Sequence, residues 1–197
     1  PERIERIKEI ANMEWTRTLD DRLGIAIEEL LRKQKTSTVE LPVTVKLLED
    51  RPDHIINWDV IPIAAKADNK HDFKLTVPDY KYNLGEVYNL CIKKGTLTEE
   101  ERFKINDHTV QTIVMLDQLP FPRHLKRVAE YAGAHHETMI GTGYPKKLDS
   151  SMISIQARAL AVADVFEALT STDRPYKKPK TLSESIKIMS FMAKDQH

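Results

Sequence analysis

Apolar residues recur at helical spacing near the start of the chain. Ile4, Ile7 and Ala11 form one stripe, and Leu23, Ile27, Leu30 and Leu31 form a second. This pattern predicts helix over residues 3 to 33. The stretch "TLDD" at 18 to 21 breaks it, because aspartates suit a cap better than a helix interior. From about 35 to 95 the periodicity is lost. Pro42, Pro52, Pro62 and Pro78 punctuate the segment, and only "VTVKLLED" reads as a short regular element. We read it as an irregular connection, with Trp58 and the tyrosines as anchors.

Helical order returns after Leu97. Thr98 and Glu101 form a capping box, in which each side chain can bond the other's backbone N–H. The helix that follows is predicted to place Ile105, His108, Thr112, Met115 or Leu116, and Leu119 on one apolar face, and "LPFP" ends it. Further helices are predicted in "RHLKRVAEYAGAHHE", "ISIQARALAVADVFEALTS" and "LSESIKIMSFM", the last opened by a second capping box, Thr181 with Glu184. There is no alternating strand pattern of useful length and no internal repeat. The expected fold is all-α, with an N-terminal helical extension and irregular connection over 1–95 and a helical core over 96–197.

Composition narrows the function classes. Hydrophobic residues make up 41% and charged residues 30%, as in a water-facing globular protein. Thirty basic residues balance thirty acidic ones, so no overall field draws in nucleic acid or a membrane surface. A phosphate-bearing ligand must be held by local charge. The single cysteine, Cys91, excludes an internal disulfide and suits a reducing, cytoplasmic setting. No apolar run approaches the roughly 20 residues of a membrane span. The opening "PERIERIKEI" has neither a methionine nor a signal-peptide core, and reads as a piece of a longer chain.

Several polar residues fall where apolar ones are expected. Asp164 interrupts "ALAVADVFEAL", and a buried carboxylate needs a cation, a donor or a metal. Arg158 is one candidate partner. His108 falls on the predicted apolar face of its helix, as either a hydrogen-bonded core histidine or a ligand. His135 and His136 are adjacent, so on a helix they would point about 100 degrees apart. Both reach one site only if it is large or lies at the helix end. Three histidines and an aspartate form a mixed imidazole and carboxylate set, which suits iron, manganese or zinc better than magnesium or calcium.

The blocks "KGTLTEEERFKINDH", "HHETMIGTGYP" and "ARALAVADVFEALTSTDRPYK" resemble, in order and spacing, the HD-GYP family of bacterial metal-dependent phosphodiesterases. The resemblance covers roughly Gly95 to Met192. It implies an HD-type helical bundle and hydrolysis of cyclic di-GMP by a metal-activated water, in an output domain of bacterial signalling. It implies His108, His135, His136 and Asp164 as metal ligands, with iron or manganese favoured and zinc as the alternative. It further implies Gly143, Tyr144 and Pro145 as a loop bordering the substrate pocket, and Arg174 and Lys177 as cations for the substrate phosphate. The implied partners are a cyclic dinucleotide or another phosphate ester, a signalling protein, or a second copy of the chain.

Three departures qualify that picture. Thr109 stands where the family has proline. Ile140 stands where it has aspartate, which removes an acceptor that shapes the loop. The family's His-Asp pair is absent at its usual distance before Gly95, and His71-Asp72 is out of register and reads as coincidence. A non-catalytic module that keeps the bundle to bind nucleotide or a partner protein is therefore the alternative reading.

Overall fold

The computed structural model describes residues 2–34, 39–172 and 178–195. The chain forms two compact units. One comprises residues 1–60 and 78–102, the other residues 61–77 and 103–197. Among the described residues seven helices dominate: α1 (Glu2–Ala11), α2 (Ile27–Lys33), α3 (Glu86–Leu90), α4 (Glu99–Asp117), α5 (Val128–Gly133), α6 (Ile155–Thr170) and α7 (Leu182–Lys194). No helix among the described residues is long and apolar enough to cross a membrane.

In the first unit, α1 packs on α3. Two small antiparallel sheets join β1 (Glu14–Arg17) to β2 (Val43–Lys46) and β3 (Ile55–Ile56) to β4 (Tyr82–Asn83). The strand β1 corrects the expectation of helix over 3–33. Trp15 lies opposite Val45 and Thr16 opposite Thr44, and β-branched and aromatic cross-strand pairs outweigh local helical periodicity. Of "VTVKLLED", the one regular element expected over 35–95, only Val43–Lys46 is strand, and β3, β4 and α3 are regular elements in that segment which the expectation lacked. Asp21 Oδ2 meets Arg17, the last residue of β1, at 2.7 Å, Arg51 at 3.2 Å and Lys33 at 3.3 Å. Burial alone would raise the Asp21 pKa. Hydrogen bonds from Arg17 and Lys33, together with their charges, outweigh it and hold the group at about 2.

In the second unit, α5 packs on α6 and α6 on α7. Both capping boxes form as expected. Thr98 N–H donates to Glu101 at 2.9 Å and Glu101 N–H to Thr98 Oγ1 at 3.2 Å, and Thr181 and Glu184 pair the same way. Each cap contributes about 1 kcal/mol.

The buried face of α4 differs from the predicted one. Phe103, Thr109, Val110 and Ile113 are buried, whereas Ile105, Met115, Leu119 and His108 are exposed. Apolar residues lie on both sides of this helix, so periodicity alone does not select a face. Phe73 decides it, by packing on Val110 and Ile113 from residues 61–77.

The third predicted helix is also shorter than expected. Arg123–Leu125 form a 3-10 turn, and α5 ends at Gly133, before the paired histidines.

Candidate metal centre

His135 and His136 follow the end of α5, where the backbone is free to turn both rings toward one place. This is the helix-end solution to the problem posed by adjacent histidines. Gly133, two residues earlier, permits it. A Cβ there would fall on Cγ1 and Cδ1 of Ile113, so glycine lets α5 approach α4 closely enough for His135 and His136 to reach His108. One ligating nitrogen from each of the three imidazoles lies within 4.8 Å of the others. Ring centroids are 4.2 Å apart for His135 and His136, and 5.1 Å for His108 and His136.

The tautomers of two of these rings follow from their partners. His108 Nδ1 is 2.6 Å from the Ile105 carbonyl, and His135 Nδ1 is 2.5 Å from the Ala132 carbonyl. A carbonyl oxygen only accepts, so each Nδ1 carries a proton, and in the neutral ring Nε2 is left with the lone pair. This is how a metal-ligating histidine is oriented by its outer partner. His136 is held neutral by burial, then by the neighbouring His135. Against a smaller opposing pull from Asp164, its pKa falls to about 4. Neutral imidazole is the form a metal requires.

Asp164, half-buried on α6, lies outside the imidazole cluster but acts electrostatically on His136 and on Tyr144. Ser154 caps the helix that carries it, accepting from Ala157 N–H. Arg158 donates to the carbonyls of Ile153 and Ser150. Among the described residues, no ion pair joins it to Asp164. His71 is not one of the clustered imidazoles; it lies 3.4 Å from Asp117 and stacks on Phe73, while Asp72 is exposed and pairs with Lys74. Arg174 and Lys177 lie outside the described residues.

A family model for the HD domain matches residues 42–197. The chain belongs to the HD-domain family. Its GYP turn and its relatives mark it as an HD-GYP-type member, and its fold is the all-α HD type. It is 40% identical over 97 residues to the 3'3'-cGAMP-specific phosphodiesterase 1 of Vibrio cholerae, covering 49% of this chain and 22% of the relative. Against a cyclic di-GMP phosphodiesterase of Thermotoga maritima it is 37% identical over 118 residues, 59% of this chain and 29% of the relative. Against a cyclic di-GMP phosphodiesterase of Pseudomonas aeruginosa it is 38% identical over 128 residues, 64% of this chain and 28% of the relative. The chain thus spans less than a third of the length of these curated relatives.

In this HD domain the GYP turn folds back on the histidines themselves. A Cβ on Gly143 would overlap Glu137 Cα and lie 2.5 Å from Thr138 N and 2.6 Å from His136 O, all backbone. Only glycine allows this approach. Tyr144 N–H donates to His136 O at 3.2 Å, and its ring stacks on the His136 imidazole with centroids 4.8 Å apart. Burial, then the Asp164 carboxylate, raises the Tyr144 pKa and keeps the phenol protonated. Gly143 is buried and Pro145 fully so; they shape the turn, and Tyr144 is its half-buried tip.

Sequence reasoning gave Glu137 no role. Its carboxylate is buried beneath the loop and accepts Lys146 N–H at 2.6 Å and Leu148 N–H at 2.8 Å. Thr138 Oγ1 accepts Thr142 N–H at 2.9 Å. Together these acceptors hold the turn in which Ile140 replaces the family's aspartate, with Ile140 itself half-exposed and bridged to Asp149. The visible signal was an acid placed directly between the histidines and a glycine-rich turn.

Proposed function

We propose that this chain supplies the metal-binding core of a bacterial signalling phosphodiesterase that opens a cyclic dinucleotide, with cyclic di-GMP as the favoured substrate. The observation that carries the reading is the convergence of three imidazoles, two with Nε2 lone pairs fixed by backbone carbonyls. Such a set fits a divalent transition ion, iron or manganese before zinc. When bound, that ion supplies Lewis acidity, activating water at neutral pH and neutralising phosphate oxygens.

In this reading His108, His135 and His136 hold the ion, and Asp164 adds a carboxylate. Tyr144, protonated and stacked on His136, borders the place a nucleotide enters, and Gly143 and Pro145 hold it there. Arg174 and Lys177 would bond phosphate oxygens. The functional core takes in residues 61–77 as well as 96–197, it works in the cytoplasm, and a second copy is its partner in a dimer. The names of the relatives support the substrate class.

Anaerobically purified protein loaded with Fe²⁺ or Mn²⁺ should linearise cyclic di-GMP or 3'3'-cGAMP, and chelation or His135→Ala should abolish turnover. Absence of turnover under every metal regime would sink the proposal. One observation favours a non-catalytic module instead: the described cluster gathers three imidazoles and no carboxylate. That reading requires binding of nucleotide or of a partner protein that survives replacement of His135 and His136 by alanine.

A further inference from the structure

The segment 61–77 belongs to the compact unit of the metal cluster, although residues 78–102 do not. Phe73 anchors it, 4% exposed, against Val110 and Ile113 of α4. The backbone of Phe73 is gripped on both sides by one side chain. Asn69 Oδ1 accepts Phe73 N–H at 3.1 Å, and Asn69 Nδ2 donates to Phe73 O at 2.9 Å. The next residue reaches the GYP turn: Lys74 N–H donates to Pro145 O at 2.7 Å. Lys146, just past the turn, lies over the Phe73 ring at 5.7 Å.

From Pro145 the connection continues to the cluster. Tyr144 precedes it, stacks on His136 and donates its N–H to His136 O. A continuous series of contacts therefore runs from the Asn69 carboxamide through Phe73, Lys74 and Pro145 to an imidazole of the metal cluster. Each contact is directional or tightly packed, so a shift at Asn69 has few ways to dissipate before the turn.

We propose that residues 61–77 form a brace for the GYP turn and that Asn69 is a positioning residue for the metal centre, acting through Pro145 and Tyr144 on His136. The inference rests on the metal-centre reading above. Nothing in it requires Asn69 to touch metal or substrate.

The test uses the whole 197-residue chain, first without metal. In ¹H–¹³C spectra the stacked Tyr144 ring should displace the His136 ring protons upfield, and Tyr144→Leu sets the undisplaced position. Asn69→Ala should lose at least half of that displacement. Asn69→Asp, which keeps the acceptor for Phe73 N–H, should retain more of it. Mn²⁺ affinity, followed by the free-ion EPR signal, should fall about tenfold in Asn69→Ala, the scale of losing an outer-shell support. A merely structural role would lower the Tm and leave the His136 resonances in place, and that result overturns the brace. Should Asn69→Ala not fold, Asn69→Leu, which keeps the volume but neither bond to the Phe73 backbone, replaces it under the same two criteria. A parent chain that takes up no Mn²⁺ would overturn the metal-centre reading, while the metal-free spectra would still decide the brace.

Discussion

The Tyr144 ring lies against the His136 imidazole, 27° from parallel with centroids 4.8 Å apart, so the GYP turn is also part of what orients an imidazole of the cluster. Stacked aromatic pairs contribute about 0.5–1.5 kcal/mol beyond burial. Tyr144→Leu should therefore weaken Mn²⁺ binding by up to about tenfold, whereas Tyr144→Phe should leave it within about threefold. Calorimetric titration without nucleotide separates this from any contact to substrate. Equal losses in both variants would place the effect in the hydroxyl.

His108 is exposed although it belongs to the cluster, which sets it apart from a core histidine. His108→Ala should change unfolding free energy by no more than about 0.5 kcal/mol, as surface substitutions do. Metal affinity should fall by more than about a hundredfold, beyond the loss of an outer-shell group. Large destabilisation with unchanged affinity would reverse the assignment.

Gly133 sets the approach of α5 to α4 through its contact with Ile113. Gly133→Ala should destabilise the protein by about 1–3 kcal/mol, the range for overpacking. Combined with Ile113→Ala, it should cost clearly less than the two separate losses added together, with a coupling of about 1 kcal/mol or more. Urea unfolding of the four proteins measures the cycle, and simple additivity would show that the contact does not set the spacing.

Asp21 has its folded pKa held at about 2, below its ordinary 3.8. Its carboxylate therefore stabilises the folded chain fully above pH 3.8, and that contribution is lost as pH falls through about 2. Linkage limits it to about 2 kcal/mol. The urea midpoint should decline between pH 5 and pH 2.5 more steeply in the parent than in Asp21→Asn. Parallel profiles would remove Asp21 from the acid response.

Features set by neighbours in sequence were legible before the structure. Thr98 with Glu101 and Thr181 with Glu184 form their boxes because both partners sit within one helical turn. The histidines and the GYP turn were legible as chemistry, since their residue types and order are distinctive. What escaped was set by distant partners. Trp15 becomes strand because Val45 lies opposite it, and the buried side of α4 is chosen by Phe73 from a separate segment. Glu137 escaped for another reason. Its partners are backbone amides at 146 and 148, which carry no residue-type signature.

The return of residues 61–77 to the wall of α4 has a practical consequence for anyone trimming this protein. An expression boundary drawn just before the Thr98 cap would appear to spare every candidate ligand. It would also remove Phe73 and uncover Val110 and Ile113, now 0% and 5% exposed. Losing a buried phenylalanine side chain costs about 3–5 kcal/mol, so the shortened chain would keep its histidines and lose the surface that holds their helix in place.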